Sequence, residues 1–179
     1  MLLGDSGGGK YSSFLVLKSN RSTVSGGDQA NWEKRHGFGI HVWKETKAIM
    51  ETSDLELYAN PSAWWSELIH IEWLKAMFGD RPRPWQPVIL LVDAFSGHWT
   101  PAVKDYAIAV EVHLMPVPPS CTVTCQPADT VWNRPFKAYL RGEWVAMIRH
   151  QLQDHEGSTS AFEFKPPKRP TLCEWVRTS

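Results

Sequence analysis

Val88-Ile89-Leu90-Leu91-Val92-Asp93 is an unbroken apolar run that ends on a carboxylate, with Ala94-Phe95-Ser96-Gly97-His98 directly behind it. An apolar side chain at every position predicts a central strand covered by helices on both faces. A second acid, Asp129, stands in Gln126-Pro127-Ala128-Asp129, just ahead of a helix-like segment. A carboxylate at the end of a buried strand and another at the start of a later helix can meet beside one metal site. Phosphoryl transfer on nucleic acid uses two divalent ions about 3.5–4 Å apart, held by acidic side chains. Oxygen ligation of this kind suits magnesium or manganese.

Outward from this strand the chain alternates. Arg81-Pro82-Arg83-Pro84 is a linker into it, and Thr100-Pro101 opens a helix beyond it by cap-plus-proline logic. Val112-His113-Leu114-Met115 is the next strand, stopped by Pro116, Pro118 and Pro119. The last long helix is expected from about 130 to 152, with Trp132, Phe136, Leu140, Trp144 and Met147 on one side and Pro135 bending its first turns. Upstream, Asn60-Pro61 reads as a helix start, with Trp64, Leu68, Ile71, Leu74 and Phe78 as one buried stripe ended by Gly79. Leu55-Glu56-Leu57-Tyr58 is a short strand before it. Residues 20–54 lack clear periodicity and are expected to be a long loop or insertion with one helical turn near Trp43. Residues 1–19 form a hairpin of Leu2-Leu3 and Phe14-Leu15-Val16-Leu17 around Gly7-Gly8-Gly9. The order hairpin, insertion, strand, helix, strand, helix, strand, helix predicts an α/β fold with a mixed sheet. We divide the chain into a domain over 1–152 and a polar, proline-containing C-terminal tail over 153–179 with an apolar patch at Leu172 and Trp175.

Composition narrows the class. With 179 residues, 42% apolar and 21% charged, the chain can bury one sizeable core. Ten tryptophans should supply much of it. Formal charge is zero, so a nucleic-acid partner must be held by a local patch and not by a global basic field. Arg134, Lys137 and Arg141 recur at i, i+3, i+7 and form one such patch. Three cysteines, Cys121, Cys125 and Cys173, are too few for a disulfide framework and read as reduced thiols in an intracellular protein. No run approaches the roughly 18 apolar residues of a membrane span, and Met1-Leu2-Leu3 is too short for a signal peptide.

The strand ending Asp93-Ala94-Phe95-Ser96-Gly97-His98 resembles the DDE superfamily endonuclease domain of pogo-like and Tigger-like transposases, in the mariner superfamily. So do the elements Val117-Pro118-Pro119, Cys125-Gln126-Pro127-Ala128-Asp129 and Phe136-Lys137-Ala138-Tyr139-Leu140-Arg141. The resemblance covers most of 1–152. It implies an RNase H-like sheet flanked by helices, a nuclear setting, DNA as partner and a two-metal site for Mg²⁺ or Mn²⁺. It makes Asp93 and Asp129 the second and third of three metal-holding catalytic carboxylates, with His98 and Gln126 beside them and Arg134, Lys137 and Arg141 toward DNA. The first carboxylate should stand on a central strand ahead of the hairpin, and that strand is expected to be missing. Each buried backbone group it leaves unpaired costs roughly 1–3 kcal/mol, and catalysis should be impaired or lost. A non-catalytic remnant that acts through DNA or protein contacts is the alternative.

Gly4-Asp5-Ser6-Gly7-Gly8-Gly9-Lys10 meets the spacing of a phosphate-binding loop, but Tyr11 replaces the magnesium-ligating hydroxyl and a strand pattern follows. A hairpin turn is the preferred reading, with Asp5 as a turn residue. His36, His41, His70 and His113 show no ligand spacing and receive no role.

Overall fold

The computed structural model describes residues 1–118, 131–157 and 159–179. It is a mixed α/β chain built on two short parallel strand pairs. Strand β1 (Ser13–Lys18) pairs in parallel with β2 (Leu55–Asn60), in a register that sets Phe14 against Glu56 and Leu15 against Leu57. Strand β3 (Val88–Val92) pairs in parallel with β4 (Val112–Pro116), setting Leu90 against Leu114. Ahead of β1, residues 1–12 double back as the expected hairpin arm. Met1 and Phe14 exchange backbone hydrogen bonds, Tyr11 N–H donates to the Leu3 carbonyl, and Gly4 and Lys10 form an antiparallel bridge.

Where a loop was expected, the β1–β2 crossover contains two helices, α1 (Gly27–Arg35) and α2 (Ile40–Glu51). α1 is polar almost all round and buries only Asn31 fully, so no period marked it. The turn between them brings Gly37, at φ +85°, against the Ala59 carbonyl of β2, leaving no room for a Cβ. Parallel strands need such a crossover.

Helix α3 (Glu67–Leu74) begins at Ser66, whose hydroxyl accepts from Ile69 N–H, and continues through a π-helical turn, Lys75–Gly79. The Asn60-Pro61 start is therefore corrected. Asn60 closes β2, and its side-chain oxygen accepts from Ser62 N–H at 3.1 Å in a local turn. That local bond gives the backbone an alternative to a helical first turn. The later start also rotates the inward stripe to Ile69, His70, Trp73, Leu74 and Phe78, while Trp64 and Leu68 face out. Helix α4 (Pro101–Ala109) starts as expected, with the Thr100 hydroxyl accepting from Val103 N–H and Pro101 in the first turn.

Helix α5 (Asn133–His155) runs 23 residues with none of them fully buried. Pro135 sits in its first turn, directly behind a π-helical stretch at 131–132. Helix α6 (Arg169–Arg177) lies in the C-terminal segment and buries Cys173 and Trp175.

Two apolar clusters hold these parts together. Phe14 and Tyr58 from the first strand pair meet Leu90, Val92 and Val112 from the second, across Ile69, Trp73 and Leu74 of α3 and Val103 of α4. On the other face of β2, Leu55, Leu57 and Ala59 pack with Phe38 and Cys173. β1 and β2 thus bury alternate side chains on two sides. β3 does not. Its Leu90 and Val92 point inward, while Ile89 and Leu91 are 64% and 51% exposed, which corrects the expectation of a strand covered on both faces. Among the described residues its outer edge carries no strand partner. The tryptophans also divide: Trp73 and Trp175 are buried, but Trp64 and Trp85 stand in solvent.

Candidate active site

Asp93 follows the last residue of β3 and opens a tight turn. Its Oδ1 accepts from Phe95 N–H at 2.9 Å, and the Trp99 indole donates to its carbonyl oxygen at 2.8 Å. The chain then makes a 3₁₀ turn over Ser96–His98 before α4. One hydrogen bond to the carboxylate and one to the backbone carbonyl fix the turn and aim its side chain, which is 44% exposed. Its Oδ2 makes no hydrogen bond among the described residues.

The turn brings His98 back against Asp93, with Nε2 3.3 Å from Oδ1. His98 is 4% exposed, and its Nδ1 lies 2.7 Å from Nδ1 of His70, which is wholly buried on α3. The Trp65 indole N–H donates to that same His70 nitrogen at 3.1 Å. The result is a continuous line from Trp65 through His70 and His98 to Asp93. Edge contacts from Trp65 and Phe95 hold the His98 ring.

His70 and Trp65 received no functional role in the sequence reading. Once α3 starts at Ser66, His70 falls among Ile69, Trp73 and Leu74 on the inward face. A buried imidazole there must find a polar partner; that was the available signal. The partner, 28 residues along the chain, lies at no spacing that sequence reveals.

Burial, aided by His98, pushes the His70 pKa down from 6.5 to about 3. Burial also lowers that of His98, against the opposing pull of Asp93. As pH falls the unfolded chain therefore protonates at His70 before the folded one does. This group leaves stability unchanged above pH 6.5 and erodes it between 6.5 and about 3. At about 1.36 kcal/mol per unit, two units of acidification below its ordinary pKa remove roughly 2–3 kcal/mol. Urea unfolding at pH 7.5 and 4.5 should show this loss, and His70→Asn should lose distinctly less over the same interval. Equal losses in both proteins would count against His70 as the buried neutral group.

The other predicted residues are placed as follows. Arg134, Lys137 and Arg141 are exposed on α5 and, with Asn133 and Ala138, line a shallow groove of about 340 Å³. A second groove, of about 480 Å³, runs from Met1, Leu2 and β1 past Asp93 to Asn133 and Phe136 of α5. Asp129 and Gln126, like Cys121 and Cys125, lie outside the described residues. The Gly4–Lys10 turn has its amides occupied: Asp5 Oδ1 accepts from Gly7 and Gly9 N–H at 2.9 and 2.8 Å. β1 follows where a phosphate-binding loop needs a helix.

The sequence model of the family described as DDE superfamily endonuclease matches residues 9–176. The chain belongs to that family. Neither a curated protein nor a solved structure matches it. The mixed α/β architecture with short parallel strands is consistent with a DDE nuclease domain, a class whose substrate is DNA and whose members generally use divalent metal ions. Among the described residues no group of three or more His, Cys, Asp or Glu gathers as a metal cage. What the DDE domain does present is the Asp93 carboxylate, whose Oδ2 is without a hydrogen bond among the described residues and whose Oδ1 lies 3.3 Å from a buried imidazole nitrogen. This oxygen-and-nitrogen pair suits a divalent ion. Among the described residues no helix is long and apolar enough to cross a membrane.

Proposed function

We propose that this DDE domain is of the pogo/Tigger type and acts on DNA in the nucleus. Asp93 and Asp129 hold Mg²⁺ or Mn²⁺ beside an RNase H-like sheet. The supporting observation is Asp93 itself. Its carboxylate stands at the C-terminal end of a strand, is aimed by a turn, is open to solvent and leaves one oxygen without a hydrogen bond. Among the described residues the outer edge of β3 carries no strand partner, and a groove beside Asp93 runs past the Met1–Leu2 arm, which leaves the carboxylate accessible.

When bound, the divalent ions would activate the attacking oxygen and stabilise the leaving one. The residues' own part is to place them. Asp93 and Asp129 supply negative charge where the ions sit, and His98 backs Asp93 from the buried side. The basic face of α5 takes phosphates of the DNA backbone. Cleavage would use water as nucleophile, and joining would use a 3′-hydroxyl. A second reading is a non-catalytic remnant that retains DNA contact, supported by the single acid that the described residues bring to this centre. In both readings DNA is the partner.

DNA binding is the first test. Replacing Arg134, Lys137 and Arg141 together by Gln should lower affinity and make the dependence of log K on log salt shallower by about 2 to 3, at roughly 0.9 per phosphate contact. Fluorescence anisotropy across a salt series measures this. An unchanged slope would remove α5 from the interface.

A further inference from the structure

The groups packed behind Asp93 determine where a proton resides. We propose that Trp65 and His70 lock His98 in the tautomer protonated on Nδ1, so that its Nε2 lone pair serves with Asp93 as a nitrogen ligand for the divalent ion. The inference rests on Asp93 being the metal-holding carboxylate of the function proposed above.

The chain of assignments starts at a group with no choice. An indole N–H only donates, and that of Trp65 points at His70 Nδ1 from 3.1 Å. His70 Nδ1 therefore presents a lone pair, and neutral His70 carries its proton on Nε2. That atom is buried without a hydrogen-bond partner among the described residues. His98 Nδ1 approaches the same lone pair to 2.7 Å. Two lone pairs do not face each other at that distance, so His98 Nδ1 bears the proton and donates it. A neutral His98 is then left with a lone pair on Nε2.

That lone pair lies 3.3 Å from Asp93 Oδ1, another acceptor. A divalent cation between these two acceptors would satisfy both. Ligands about 2.1 Å from a common ion stand roughly 3.0 Å apart at right angles and roughly 3.4 Å apart at the tetrahedral angle; the observed spacing lies between these. Burial and the edge contacts of Trp65 and Phe95 keep the imidazole from turning away. Metal-bound histidines generally donate their other ring N–H to a fixed partner, and His70 is that partner here. A nitrogen in the ligand set shifts the preference toward manganese over magnesium. His70 and Trp65 are positioning residues in this scheme, since neither touches the ion.

The test uses the full chain with Mn²⁺ as the probe. Long-range ¹H–¹⁵N correlation of histidine-labelled protein at pH 7.5, without metal, should show His98 protonated on Nδ1 and His70 on Nε2. Finding His98 protonated on Nε2, or on both nitrogens, overturns the proposal. Pulsed EPR of bound Mn²⁺ should show coupling to an imidazole nitrogen. His70→Phe removes the acceptor and should abolish that coupling and weaken Mn²⁺ about 10-fold. His70→Asn, whose amide oxygen takes the place of Nδ1, should retain both. If His70→Phe does not fold, Trp65→Phe serves instead and should populate the Nε2-protonated form of His98; an unchanged tautomer overturns the lock. Mn²⁺ bound through Asp93 without nitrogen coupling overturns the ligand role of His98 and leaves the proposed function standing. Absence of Mn²⁺ binding overturns both.

Discussion

Asp93→Asn is expected to weaken Mn²⁺ binding by at least about 100-fold, the upper end of what loss of a mere outer-shell partner produces. The substitution keeps size and shape and deletes the charge. Its side-chain oxygen can still accept from Phe95 N–H, and the Trp99 bond goes to the backbone carbonyl, so the turn should survive. With the side chain 44% exposed, removing its charge should leave folding stability nearly unchanged. The variant therefore separates metal binding from folding. Titration followed by the EPR signal of free Mn²⁺ gives the affinity, and thermal unfolding gives the control. Equal affinity in wild type and variant would remove Asp93 from the site.

The second large effect is on stability. Phe14→Ala should destabilise the protein by about 3–5 kcal/mol, the usual range for deleting a buried aromatic ring. Phe14 is wholly buried, stacked on Tyr58 at 4.8 Å and edge-on to Trp65 at 5.7 Å. It belongs to the cluster through which the two strand pairs are joined, and its backbone anchors the Met1 arm. The loss should appear as a lower urea midpoint with an unchanged slope. Because Trp65 loses a packing neighbour, the hydrogen bond from its indole to His70 should loosen in the same variant. A change below about 1 kcal/mol would mean that the two halves are joined elsewhere.

Features carried by local chemistry were legible in the sequence. The β3 run, its terminal Asp93, the cap at Thr100-Pro101 and the glycine-rich turn each depend on residues within one or two turns of each other. Features fixed by packing were not. Helix α1 offers few inward side chains and so no period, and α3 was read from Asn60-Pro61 because the competing turn bond of Asn60 leaves no mark on the sequence. His70 shows no ligand spacing in the sequence, and its contact with His98, 28 residues along the chain, leaves no mark there. The apolar run of β3 implied two covered faces, yet apolar composition records only what a strand could bury. Ile89 and Leu91 are uncovered among the described residues.

The central claim is that Asp93 and Asp129 reach one ion. Loading the chain with Fe²⁺ in place of the native metal and adding ascorbate and peroxide cuts the backbone next to the bound ion. Mass spectrometry of the fragments should place cuts both at residues 93–98 and around Asp129, with both sets lost in Asp93→Asn. Cuts confined to one of the two segments would contradict a shared site and the nuclease reading with it.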